Sequence, residues 1–219
     1  MKSISDALLY GIVDLGYVCS DKLERAVEKM MEGGVDVLQL RAKGASEEEI
    51  ESYARRLIPI TESAGVPFIL NDHPELVPSV GAQGAHVGQD DFEVSDARWR
   101  AGRALAGEVA LPLIGKSTHS PAQANAALEQ GADYIGFGPL FATPTKPGRP
   151  AIGIENIQAV QGSVSVPVFC IGGIKLENLE QVLDAGARRV VIVSGILAAE
   201  DISNYCEQVK KLLRTRNAM

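Results

Sequence analysis

The chain has 219 residues, 46% of them hydrophobic and 22% charged, and no apolar run approaches the roughly 20 residues needed to cross a membrane. Its net charge of −7 argues against nucleic acid as a partner, so a site for anionic ligands must gather its few cations locally. Cys19, Cys170 and Cys206 are odd in number and far apart, which fits a reducing cytoplasm better than a disulfide framework or a zinc site. The N-terminus has one lysine and no long apolar core before a cleavage site, so no signal peptide is expected.

Two kinds of segment alternate along the chain. Short apolar runs predict strands at 8–13, 35–40, 67–70, 84–87, 112–115, 134–137, 167–171 and 189–193. Helical spacing predicts helices at 21–31, 47–63, 74–80, 95–106, 121–129, 154–160, 177–185 and 202–213. Ser46, Ser95 and Ser120 read as helix N-caps, the last with Pro121 at the first helical position. A weak repeat recurs as Gly34-Val35-Asp36, Gly81-Ala82-Gln83, Gly131-Ala132-Asp133 and Gly186-Ala187-Arg188. Each copy ends a helix with a glycine suited to a left-handed cap and leads into an even-numbered strand.

Near-continuous apolar strands alternating with helices imply a parallel sheet. Eight such units imply a single (β/α)8 (TIM) barrel spanning residues 1–219, with 214–219 as a flexible tail. An open doubly wound sheet is the alternative, but no GxGxxG follows the first strand.

Active sites of such barrels lie at the C-terminal strand ends. The residues expected there include Asp14, Gln39, Arg41, Lys43, Asn71, Asp72, His86, Asp91, Lys116, Ser117 and His119. The sixth strand is followed by a proline-stiffened loop with Thr143, Thr145, Lys146 and Arg149, a composition that suits a phosphorylated ligand. Arg41, Lys43, Lys116, Lys146 and Arg149 are thus expected on one rim. Asp72 and Asp91 beside these cations fit a Mg²⁺ site completed by substrate phosphate and water; salt bridges to Arg41 or Lys43 are the other reading. Gly172-Gly173 and Ser194-Gly195 follow the last two strands, where barrels often hold a phosphate on backbone N–H groups.

Several of these stretches carry a family resemblance. They are Gln39-Leu40-Arg41-Ala42-Lys43, Asn71-Asp72, His86-Val87-Gly88-Gln89-Asp90-Asp91, Gly115-Lys116-Ser117-Thr118-His119, residues 136–146, Ile171-Gly172-Gly173-Ile174 and Val193-Ser194. In this order the chain resembles the thiamine-phosphate synthase family over essentially its whole length. That resemblance implies that hydroxymethylpyrimidine pyrophosphate and hydroxyethylthiazole phosphate condense to thiamine phosphate and pyrophosphate, with the leaving group departing first. It implies that Gln39, Leu40, Arg41, Ala42, Lys43, Asn71, Ser117 and Lys146 hold the pyrimidine pyrophosphate, and that Lys146, Arg41 and Ser117 serve catalysis. Thr143, Pro144, Thr145, Gly173, Val193 and Ser194 would hold the thiazole phosphate, and Asp72 and Asp91 would bind Mg²⁺. The partners implied are phosphorylated small molecules; a homo-oligomer is allowed but not required. The run from His73 to Pro78 departs from the family pattern, which bears on the shape of the third helix. A thiazole tautomerase of the same fold, to which His119 would matter, and a phosphosugar isomerase or epimerase stand as alternatives.

Overall fold

All eight predicted strands form, and each pairs in parallel with its sequence neighbours: β1 (Leu9–Asp14), β2 (Val37–Arg41), β3 (Phe68–Asn71), β4 (Gly84–Val87), β5 (Leu113–Thr118), β6 (Tyr134–Phe137), β7 (Val168–Cys170) and β8 (Arg189–Ile192). Pairing of β1 with β8 closes the barrel. The structure is a computed structural model that describes residues 1–102, 111–143 and 150–218. Around the barrel run α1 (Leu23–Glu32), α2 (Glu47–Ser63), α3 (Val77–Val80), α4 (Val94–Gly102), α5 (Pro121–Glu129), α6 (Ile157–Ser163), α7 (Leu176–Asp184), α8 (Ser194–Leu197) and α9 (Ile202–Asn217).

Successive strand residues point to opposite faces, so the sheet divides its apolar side chains between two cores. Leu38, Leu40, Phe68, Leu70, Ile114, Ile135 and Val190 face outward into the helix layer. Tyr10, Val37, Ile69, Tyr134, Phe169 and Val191 fill the barrel interior. This is why the strands read as continuous apolar runs rather than as alternating ones.

Local chemistry sets the element ends. Ser46 accepts from the Glu49 amide at 3.3 Å while the Glu49 carboxylate takes the Ser46 amide at 2.8 Å, a closed capping box that starts α2. Ser120 caps α5 through the Gln123 amide at 3.2 Å. The repeat glycines Gly34, Gly81, Gly131 and Gly186 all have positive φ, as left-handed helix ends require.

The third position of the repeat has a further role. Asp36 accepts the amides of Leu8 and Leu9 at 2.9 and 3.1 Å, Gln83 the amide of Phe68 at 2.8 Å, and Asp133 the amide of Ile114 at 2.7 Å. The residue just before β2, β4 and β6 thus satisfies an otherwise open N–H at the start of the preceding odd strand. Arg188, a donor, cannot do so in the fourth copy. Asp36 also pairs with Lys210 of α9 and, at 3.2 Å, with Lys2. These contacts tie both chain ends across the N-terminal face of the barrel.

The structure corrects several expectations. β5 runs three residues past the expected end, through Thr118. α4 begins at Val94, so Ser95 lies inside its first turn, and residues 103–106 of the expected helix fall outside the described residues. The third helix is reduced to a 3-10 turn at Pro74–Leu76 and the single turn of α3, as two prolines four residues apart enforce. A tail was expected from 214, but α9 continues through Asn217, whose amide donates to the Arg188 carbonyl at 3.1 Å.

Candidate active site

The C-terminal strand ends surround one cavity. Gln39, Arg41, Asn71, Ser117, Thr143, Gly173, Val193 and Ser194 all line it, so residues spread over 156 positions of sequence meet in one place. Pro144, Thr145, Lys146 and Arg149 lie outside the described residues.

Arg41 ends β2 and reaches back to Asp14 at the end of β1, Nη1 to Oδ2 at 2.7 Å. Asp14 is 2% exposed, and its other oxygen accepts the Gly16 amide at 2.9 Å. A guanidinium docked on a buried carboxylate is held in one orientation, which suits it to orient a substrate phosphate. Asp14, expected at the active-site rim from its place at the end of β1, therefore positions Arg41.

The cavity floor is aromatic. Phe169 meets Tyr10 and Tyr134 edge to face, with centroids 5.4 and 5.8 Å away. Gln39 donates its side-chain amide to the Tyr10 hydroxyl at 2.8 Å, and the Tyr10 and Tyr134 hydroxyls are 3.1 Å apart. Burial pushes both phenols up, so both stay protonated as hydrogen-bonding groups. These rings escaped the sequence reading because a tyrosine in an apolar strand run looks like ordinary core; period-2 phasing with Gln39 and Ser117 was the signal that could have found them. His86 lines the cavity and meets Ser117 Oγ at 3.0 Å through Nε2. His119 also lines it and donates Nδ1–H to the Gly138 carbonyl.

The loops after β6 and β7 are tied together by backbone hydrogen bonds. Leu140 N–H bonds to Ile171 O at 2.9 Å, and Phe141 N–H to Gly172 O at 3.0 Å. A Cβ on Gly138 would fall 2.0 Å from Ile171 O, and one on Gly172 would fall 2.4 Å from Pro139. The glycines are needed for that approach.

Three expected placements change. Leu40 and Ala42 are buried in the outer core, so they can meet a substrate only through their backbone. Lys116 does not join the rim. The extra length of β5 puts it on the outward face, 3% exposed, with Nζ donating to the carbonyls of Gly88 and Phe92 at 2.8 and 2.5 Å. Burial lowers its pKa, against the opposing pull of Glu93, Asp91 and Asp90.

Asp72 and Asp91 follow the paired strands β3 and β4. Asp72 accepts from Asn71 at 2.6 Å and from the Lys43 ammonium through the same oxygen, and its φ is 62°. Asp91 accepts the Gly88 amide at 2.8 Å. Among the described residues no group of three or more His, Cys, Asp or Glu could hold a metal. Asp72 and Asp91 offer hard oxygen donors of the kind Mg²⁺ takes beside phosphate oxygens and water, though neither is among the residues lining the cavity. Among the described residues no helix is long and apolar enough to cross a membrane.

Comparison with known proteins identifies the family. Residues 9–196 match the model of the family described as thiamine monophosphate synthase. Thiamine-phosphate synthase of Thermus thermophilus is 43% identical over 202 residues, covering 92% of this chain and 91% of that one. Its counterpart in Halalkalibacterium halodurans is 40% identical, covering 96% and 97%. The solved thiamine phosphate pyrophosphorylase of Pyrococcus furiosus superposes with a TM-score of 0.84 at 28% identity, covering 97% and 98%. These matches favour neither the tautomerase nor the sugar isomerase. With a closed eight-stranded barrel, a cavity at its C-terminal end and relatives aligned over nearly their whole length, the chain belongs to the thiamine monophosphate synthase family.

Proposed function

We propose that this transferase joins hydroxymethylpyrimidine pyrophosphate to hydroxyethylthiazole phosphate in a Mg²⁺-dependent reaction at the cavity above Tyr10, Tyr134 and Phe169. The observation that carries the reading is the floor itself. An apolar aromatic floor whose polar groups are the Gln39 amide and the Tyr10 hydroxyl suits a flat heterocycle with donors and acceptors on its edge better than a hydroxyl-rich sugar phosphate. In the proposed reaction the bond from the methylene carbon to the pyrophosphate oxygen breaks and its electron pair leaves with pyrophosphate. The thiazole nitrogen then gives its lone pair to that carbon. No proton moves, so the reaction asks for no general base.

Arg41, fixed by Asp14, and Lys43 and Lys146 would bind the leaving pyrophosphate as its charge grows. Bound Mg²⁺, held by Asp72 and Asp91, would supply further neutralisation of that charge. Gln39 and Asn71 would orient the pyrimidine. Thr143, Pro144, Thr145, Gly173, Val193 and Ser194 would hold the thiazole phosphate, with backbone at residues 40 and 42 completing the pyrophosphate cradle. The reading places the protein in the cytoplasm. The direct test mixes both substrates with and without Mg²⁺ and measures thiamine phosphate; no product with Mg²⁺ present rejects it.

Two substitutions separate the roles. Ser194→Ala removes a hydroxyl from a phosphate that does not change during reaction, so the KM for thiazole phosphate should rise about 10- to 100-fold with little change in kcat. A fall in kcat at unchanged KM would move Ser194 out of that subsite. Ser117 sits 3.0 Å from His86, a pairing that invites a nucleophilic reading. A displacement by thiazole nitrogen needs no such nucleophile, so Ser117→Ala should slow turnover only about tenfold. Mass spectrometry of quenched wild-type enzyme should find no adduct on Ser117; an adduct there would overturn the assignment.

A further inference from the structure

Lys116 is a buried cation that the proposed reaction leaves without a task. It lies on the outer face of β5, yet its ammonium joins both ends of one short turn in the β4–α4 loop, Gly88 and Phe92. Asp91 sits inside that turn, and its carboxylate closes on the Gly88 amide at 2.8 Å. A Cβ at Gly88 would come within 2.5 Å of the same carboxylate oxygen, so the turn leaves room for that side chain. Gln89 adds a second tie to β5, its amide donating to the Ser117 carbonyl at 2.5 Å. The turn carrying Asp91 is therefore fastened to β5 at Gly88, Gln89 and Phe92, twice through one ammonium.

An ammonium removed from water is costly, and an apolar side chain could fill the same gap between strand and loop. What an apolar side chain could not do is hold two carbonyls at fixed distance. We propose that Lys116 is a positioning residue that holds the Gly88–Phe92 turn so that Asp91 is preset for Mg²⁺. The inference rests on the reading of Asp91 as a Mg²⁺ ligand. It concerns a residue that touches neither metal nor substrate and acts as partners behind metal ligands do, where loss typically weakens binding by about 10- to 100-fold.

A mutant cycle on the full chain tests it: Lys116→Met, Asp91→Asn and the double variant, with Lys116→Arg as the conservative control. The readout is calorimetric titration of Mg²⁺ in the presence of inorganic pyrophosphate, with the enzyme-free titration as blank. Each single change to Met or Asn should weaken Mg²⁺ binding about tenfold or more. The double variant should bind no more weakly than Asp91→Asn alone, because Lys116 acts through Asp91. Lys116→Arg should keep near-wild-type binding. Additive losses, or unchanged binding in Lys116→Met, overturn the proposal and leave Lys116 a packing residue. Unchanged binding in Asp91→Asn removes the ligand reading itself, and the proposal with it. Should Lys116→Met fail to fold, Lys116→Gln takes its place under the same criteria.

Discussion

Asp72→Asn is expected to lower kcat by about 10²-fold or more and to raise the Mg²⁺ concentration needed for half-maximal rate. Asn is chosen over Ala because φ at this position is 62°, a region that Asn and Asp tolerate and Ala does not. Two readings of Asp72 compete: an ion pair with Lys43 that serves the fold, or a carboxylate held ready for a cation. Magnitudes decide between them. The Lys43 side chain is 55% exposed, and such a pair contributes at most about 1 kcal/mol. A left-handed non-glycine residue costs about as much. The ion pair thus gives little net reason for the geometry, whereas a carboxylate held at a strand end next to the cavity-lining Asn71 has one if it serves a cation there. Thermal stability should accordingly move little, by no more than about 4 °C. Steady-state kinetics across a Mg²⁺ titration, with a melting curve beside it, checks both parts. Wild-type kcat with unaltered Mg²⁺ dependence would sink the assignment.

The barrel was legible because its signals are local. Eight apolar runs, serine caps and helix-ending glycines each report on a few neighbouring residues, and their alternation leaves few topologies. The cavity was half legible. Gln39, Arg41, Asn71 and Ser117 come together as expected because strand ends in a parallel barrel must converge. What failed was register within a strand. Ending β5 at Gly115 made Lys116 and Ser117 look like two loop residues on the same rim, but with the strand running to Thr118 they point to opposite faces. The same phase information would have shown that Leu40 belongs to the helix layer and Tyr10 to the cavity. Gly173 carries a further lesson. Its φ is 67°, and a Cβ there would lie 2.7 Å from Phe141 Cβ and 2.9 Å from Ala142 O. A valine at 173 would therefore disturb the β6 loop whether or not a phosphate binds. Ser194→Ala is the cleaner probe of that subsite.

Asp36→Ala is expected to cost about 3–5 kcal/mol of stability, while each folded molecule keeps its turnover. The carboxylate is 8% exposed and pairs with Lys210, whose side chain is 7% exposed. Removing it strands that ammonium in the interior and opens the Leu8 and Leu9 amides that it caps. At this chain length the loss corresponds to a fall in Tm of roughly 6–20 °C. Turnover should survive because Asp36 precedes β2, at the opposite end of the strand from Arg41. The pH dependence gives a second readout. Burial alone would raise the Asp36 pKa, but Lys210 and the two amides outweigh it and hold the carboxyl below its usual value. A lowered folded-state pKa means stability that is fully present above the unfolded carboxylate pKa and lost as pH falls through the folded one. The gap in Tm between wild type and Asp36→Ala should therefore be widest near neutral pH and narrow in acid. Melting curves from neutral to acidic pH test this; a gap that stays constant on acidification would mean that packing, rather than the charged cap, accounts for the loss.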